Sequence, residues 1–242
     1  MIMKPTQTES FSASSRVQRA RRQFNRPTHG QSLSMVGVTV NRRHAALFGL
    51  FVAVAFVGLS DPAFAHENQV IEYGSFLAGF SHPVLGLDHF LAMLSVGIVS
   101  ALIGGRAIWT VPATFVVMMG VGAAAGYADI GLSSTVTETG IALSVILLGG
   151  VILLDRSLDV RVAMGFVAFF GFFHGYAHGQ ETPDIADPVV YALGFLLGTI
   201  LIHLLGVLIG EVAIRYTHGR TALRVAGGLF ILLGALFIVG VL

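Results

Sequence analysis

Residues 160–181 read VRVAMGFVAFFGFFHGYAHGQE. A membrane-spanning helix needs roughly 20 predominantly apolar residues, and this stretch supplies them. Yet its far end carries His174, His178 and Glu181. Histidines four apart stack on one helix face, and Glu181 follows about one turn on. Ionisable groups at membrane depth are costly, so they mark ion pathways, proton relays or reaction centres. Gly171, Gly175 and Gly179 recur on the neighbouring stripe, and such a small-residue face lets another helix approach closely.

A second cluster, HPVLGLDH at residues 82–89, opens another long apolar run. On a continuous helix His82 and His89 stand about two turns apart and share nearly one face. Asp88 lies beside His89, and Pro83 suits a first helical turn, where its missing N–H costs nothing. The glycine stripe beside His174 and His178 is expected to press its helix against this one and unite the two clusters.

Composition extends the membrane reading to the whole chain. Of 242 residues 55% are hydrophobic and 11% charged, with a mean hydropathy of +0.81; soluble domains carry about 25% charged residues. The expected fold class is all-α: a polytopic membrane protein with six transmembrane helices after a cleavable signal peptide. The apolar runs are 84–104, 107–127, 138–154, 160–179, 189–212 and 222–242, the third of them short. The segments after the first, third and fifth runs hold six arginines, and the alternate segments Ala128–Thr137 and Gln180–Pro188 hold none. By the positive-inside rule both clusters face the periplasm, as do the processed N-terminus and the C-terminus of an inner-membrane protein.

Three segments follow from the N-terminal pattern. Residues 1–34 are polar and without hydrophobic period, a disordered leader or sequence upstream of a start at Met35. Residues 35–65 read as a signal peptide: Asn41-Arg42-Arg43, an apolar stretch Ala45–Leu59, then the small-x-small site Ala63-Phe64-Ala65. The alternative is an uncleaved first helix. Residues 66–242 form the six-helix domain. Cleavage after Ala65 leaves His66 at the new terminus, where amine and imidazole can bind a metal beside Glu67 or stand solvated.

Charge and residue type narrow the chemistry. Eight of the 14 Lys and Arg lie in residues 1–43, and from His66 onward six Arg face 11 Asp and Glu. That balance makes no nucleic acid a partner and favours a cation. With no cysteine, a metal must be held by imidazole, carboxylate, carbonyl or water. Imidazole with carboxylate suits borderline divalent ions such as nickel, cobalt or zinc. His203, inside the fifth run, and Glu211, near its inner end, are secondary candidates for a relay, with hydrogen-bonded packing as the alternative. Met93, Met118, Met119 and Met164 read as packing. Asp129, Glu138, Asp184 and Asp187 make the outer loops acidic. Trp109 and Tyr127 bracket the second run as interface anchors. Gly194-x3-Gly198 and Gly206-x3-Gly210 suit intramolecular packing or a homo-oligomer interface.

The pattern His-x5-Asp-His in the first run, with Phe-His-Gly-x-Ala-His-Gly-x-Glu in the fourth, resembles the HupE/UreJ family of nickel and cobalt permeases. The resemblance implies transport of Ni2+ or Co2+ as cargo, with no permanently bound cofactor, to supply metalloenzymes such as hydrogenase or urease. It assigns metal handling to His82, Asp88, His89, His174, His178 and Glu181. No Walker-type loop is present, so no ATP engine is expected. The main alternative is an intramembrane zinc hydrolase, which uses the same residue types; a b-type cytochrome has no use for the carboxylates. Imidazole binds metal only when neutral, so nickel uptake measured against pH is expected to weaken as pH falls through about 6.5, the ordinary histidine value.

Overall fold

The computed structural model describes residues 74–182 and 187–241, all within one compact unit, Phe51–Leu242. The leader, the signal peptide, His66 and Asp184 lie outside the described residues. The regular elements are all helices: α1 (Ser75–Leu85), α2 (Leu87–Ile103), α3 (Ala107–Tyr127), α4 (Ser134–Leu154), α5 (Val160–Gln180), α6 (Pro188–Arg215) and α7 (Gly219–Ile238). Helices α3 to α7 are each long and apolar enough to cross a membrane; α1 and α2 pass the same test as a pair bent by 77°. The described chain therefore has five such spans, or six with the bent pair counted as one.

The bend corrects the expectation of a continuous first helix. Gly86 adopts extended backbone, φ −74° and ψ 104°, between two helical segments. Glycine is the poorest helix former after proline, by about 1 kcal/mol relative to alanine. Pro83, expected in a first turn, instead lies inside α1 near its end, where it cannot donate a helical hydrogen bond. The break creates a new helix start. Asp88 sits in the first turn of α2 and its Oδ1 accepts the His89 N–H at 2.8 Å, a placement the helix dipole favours.

Side-chain caps fix the starts of α4, α5 and α6. Ser133 accepts the Val136 N–H through its Oγ, so α4 begins at Ser134 and not at Glu138, which gives the third run a full 21 residues. Thr137 and Glu138 interrupt the hydropathy but not the helix, because Thr137 donates its hydroxyl to the Ser133 carbonyl at 3.2 Å. Asp159 caps α5, and Asp187, followed by Pro188, caps α6 through the Val189 and Val190 N–H groups.

Helix α2 forms the central post: every residue from His89 to Ala101 is buried. Glycines then glue the helices in pairs. The stripe Gly171, Gly175 and Gly179 lies against Phe115, Met119 and Ala123 of α3, not against the first span as expected. In return Gly122 and Gly126 of α3 meet Phe172 and Tyr176 of α5. Gly194 and Gly198 of α6 accept α1 at Phe76 and Phe80, while Gly206 crosses α2 at Gly97 and Gly210 at Ile98 and Ala101. Both Gly-x3-Gly motifs of α6 thus serve packing within the chain. Gly149 of α4 meets Gly227 of α7. The first span therefore pairs with the fifth, the second with the fourth and the third with the sixth. Met93 and Met119 are fully buried in the core, as packing residues should be, while Trp109 and Tyr127 are 69% and 64% exposed at the two ends of α3.

Candidate metal centre

The bend at Gly86 brings the first cluster together. Along a straight helix seven residues rise about 10 Å, whereas the rings of His82 and His89 have centroids 6.3 Å apart. Helix α5 ends beside them. His178 stands 4.8 Å from His82 and 4.6 Å from His89, ring to ring, and His174 stands 4.9 Å from His89. Glu181, the C-cap of α5, reaches His82: its Oε2 accepts from Nε2 at 2.9 Å. All six residues of the two sequence clusters meet at one end of the bundle, even though the glycine stripe faces elsewhere.

Exposure falls with depth. The Glu181, Asp88 and His82 side chains are 38%, 31% and 21% exposed, and that of His89 is 9%. His178 and His174 are completely buried. The site is graded like a funnel, with Glu181, Asp88 and His82 at its rim and His89, His178 and His174 at its floor.

Hydrogen bonding assigns the free nitrogens. Asp88 Oδ1 lies 2.9 Å from His89 Nδ1; a carboxylate only accepts, so Nδ1 carries the proton and Nε2 holds the lone pair. That Nε2 is buried without a hydrogen-bond partner, as are Nδ1 of His174 and both ring nitrogens of His178. A buried polar atom left unpaired costs about 1–3 kcal/mol, and several in one place call for an explanation. A bound cation would supply a partner for the lone-pair nitrogen of each ring, one nitrogen per imidazole. His82, His178 and Glu181 each offer one ligand atom, all within 4.8 Å of one another. A metal–imidazole bond of about 2 Å asks these donors to close by on the order of 1 Å.

Aromatic rings wall the site. Phe195 stacks on His178 at 4.9 Å and Tyr191 lies 6.3 Å from His82. Phe115 touches His174 on one side, at 5.3 Å, and His203 on the other, at 5.1 Å. His203 is thus outside the cluster, beyond the Phe115 ring; it is 2% exposed and neither ring nitrogen has a hydrogen-bond partner. Glu211 lies about 12 Å further along α6 by helical rise and pairs with Arg215 at 3.3 Å. Ser144 of α4 was not singled out from sequence, yet its Oγ lies 3.0 Å from His174 Nε2. A hydroxyl within an apolar run was the only signal available.

A polytopic helical membrane protein with a histidine–carboxylate funnel at one end is the class that fold and site define. The family model described as HupE / UreJ protein matches residues 52–237, and Protein HupE of Rhizobium leguminosarum bv. viciae is 37% identical over 190 residues, which are 78% of this chain and 97% of that protein. The chain belongs to the HupE/UreJ family. No solved structure matches it.

Proposed function

We propose that the chain is a permease that carries a divalent transition metal, nickel and by the same ligand chemistry cobalt, across the bacterial inner membrane toward the cytoplasm, for metalloenzymes such as hydrogenase or urease. The observation that carries this reading is the convergence of four histidines and two carboxylates from distant segments, with buried imidazole nitrogens left unpaired. Membership of the HupE/UreJ family supports passage of the ion over hydrolysis at a fixed zinc. The arginine bias of the alternate loops supports a periplasmic funnel mouth, and exposed Asp129, Glu138 and Asp187 would enrich cations there.

A hydrated ion exchanges water for Glu181, His82 and Asp88 at the rim, then for His178, His89 and His174. Conduction needs a site strong enough to strip water and weak enough to release. The inward step leads past Phe115 to His203, whose free nitrogens suit a second station; Glu211 at the inner end and His66 at the processed terminus remain flanking candidates. His203→Ala is expected to slow nickel uptake several-fold while equilibrium nickel binding at the funnel stays near that of the parent. Uptake equal to the parent would reduce His203 to packing.

The whole reading is tested by metal-resolved uptake in a strain lacking its own nickel importers, with nickel, cobalt and zinc in competition. Nickel accumulation that depends on the chain, and is suppressed by cobalt, supports it. No chain-dependent accumulation of any of the three metals would refute it.

A further inference from the structure

We infer that Ser144 is a positioning residue that locks His174 in the Nε2–H tautomer, so that Nδ1 is the atom His174 presents to the metal. The inference rests on the permease reading for its metal but on hydrogen-bond geometry for its tautomer.

The Ser144 hydroxyl has one proton and two close neighbours. Its Oγ lies 2.6 Å from the Ile141 carbonyl oxygen and 3.0 Å from His174 Nε2. A carbonyl only accepts, so the short contact to Ile141 claims the hydroxyl proton; two oxygen lone pairs at 2.6 Å would repel. Ser144 Oγ then has only lone pairs to offer the imidazole, and His174 Nε2 must be the donor. A neutral imidazole has one N–H, and Nδ1 is left with the lone pair. That atom is buried without a hydrogen-bond partner, in a ring whose centroid lies 4.9 Å from that of His89. Ser144 and His174 are both fully buried, so water does not compete for either bond.

The arrangement mirrors that of His89, with the nitrogens exchanged. Asp88 accepts the Nδ1–H of His89 and leaves the lone pair on Nε2; Ser144 accepts the Nε2–H of His174 and leaves the lone pair on Nδ1. Partners of this kind fix ring orientation and ligand atom at metal centres, and losing one typically lowers metal affinity about 10–100-fold. A neutral hydroxyl in place of a carboxylate at the deepest ligand also leaves that position without an added negative charge, which suits release inward.

The test pairs two measurements on the purified full chain. Solid-state 15N NMR of histidine-labelled protein without metal, with His174→Gln to assign the signal, should show His174 protonated at Nε2. Ser144→Ala should disperse that signal between tautomers. Nickel titration should then show about 10–100-fold weaker binding in Ser144→Ala, restored in Ser144→Thr, which keeps the hydroxyl. Protonation at Nδ1 in the parent, or Ser144→Ala binding nickel as tightly as the parent, would overturn the proposal. A parent that shows the Nε2–H tautomer yet binds no nickel would sink the metal reading and, with it, the ligand half of this one.

Discussion

His178→Ala, inserted normally in the membrane, is expected to reduce nickel accumulation to the level of cells lacking the protein. His178 is the hub of the funnel. It is in ring contact with both His82 and His89, and it is the buried histidine of the triad with His82 and Glu181. Both its nitrogens are buried and unpaired, so replacing it removes no hydrogen bond from the folded protein. Lost transport with retained fold therefore reports a ligand and not a packing residue. The side chain left behind is smaller, and the stacked face of Phe195 would border the gap; His178→Gln, closer in volume, should retain the fold equally and still fail to transport. Membrane abundance and thermal stability in detergent are the controls. Accumulation above half the parental level in either variant would contradict the hub assignment.

The largest structural effect is expected at Gly175. A Cβ there would collide with the backbone of Met119 on α3, and backbone cannot rotate away as a side chain can. Overpacking a well-packed site usually costs about 1–3 kcal/mol, and more where backbone must shift. Gly175→Leu should lower the yield of folded protein and its melting temperature in detergent sharply. Gly165→Leu is the matched control on the same helix, because a Cβ at Gly165 meets nothing within 4 Å. Since Gly175 lies between His174 and His178, transport should fall too, but only together with folded protein. Equal stability of the two variants would remove the glycine stripe from the account of the fold.

Much of this architecture was legible in the chain, for identifiable reasons. Helix identity and approximate ends followed from apolar length, and the two clusters stood out because histidine and carboxylate are rare in such runs. The bend at Gly86 was not legible. Gly86 in an apolar run reads equally as a tolerated helix residue or a break, and the choice depends on α1 finding Gly194 and Gly198 of α6 to pack against. The partner of the α5 glycine stripe was hidden for the same reason: a small-residue face announces close approach without naming who approaches. His174 and His178 point at the first cluster from the side of α5 adjacent to that stripe, so the right convergence was expected from the wrong contact. Ser144 was invisible because its role depends on a residue 30 positions away. The start of α4 was misplaced because a capping serine and a threonine that bonds backward look, in hydropathy alone, like loop.

The central claim is that two clusters 85 residues and more apart in sequence act as one site. Nickel titration of the purified parent, His89→Ala, His178→Ala and the double variant tests it most directly. A single site predicts that either substitution removes most of the binding free energy and that the double variant is scarcely weaker than either single, the non-additivity of residues sharing one ligand. Independent losses that add in the double variant, or an unchanged nickel affinity in His89→Ala, would contradict it.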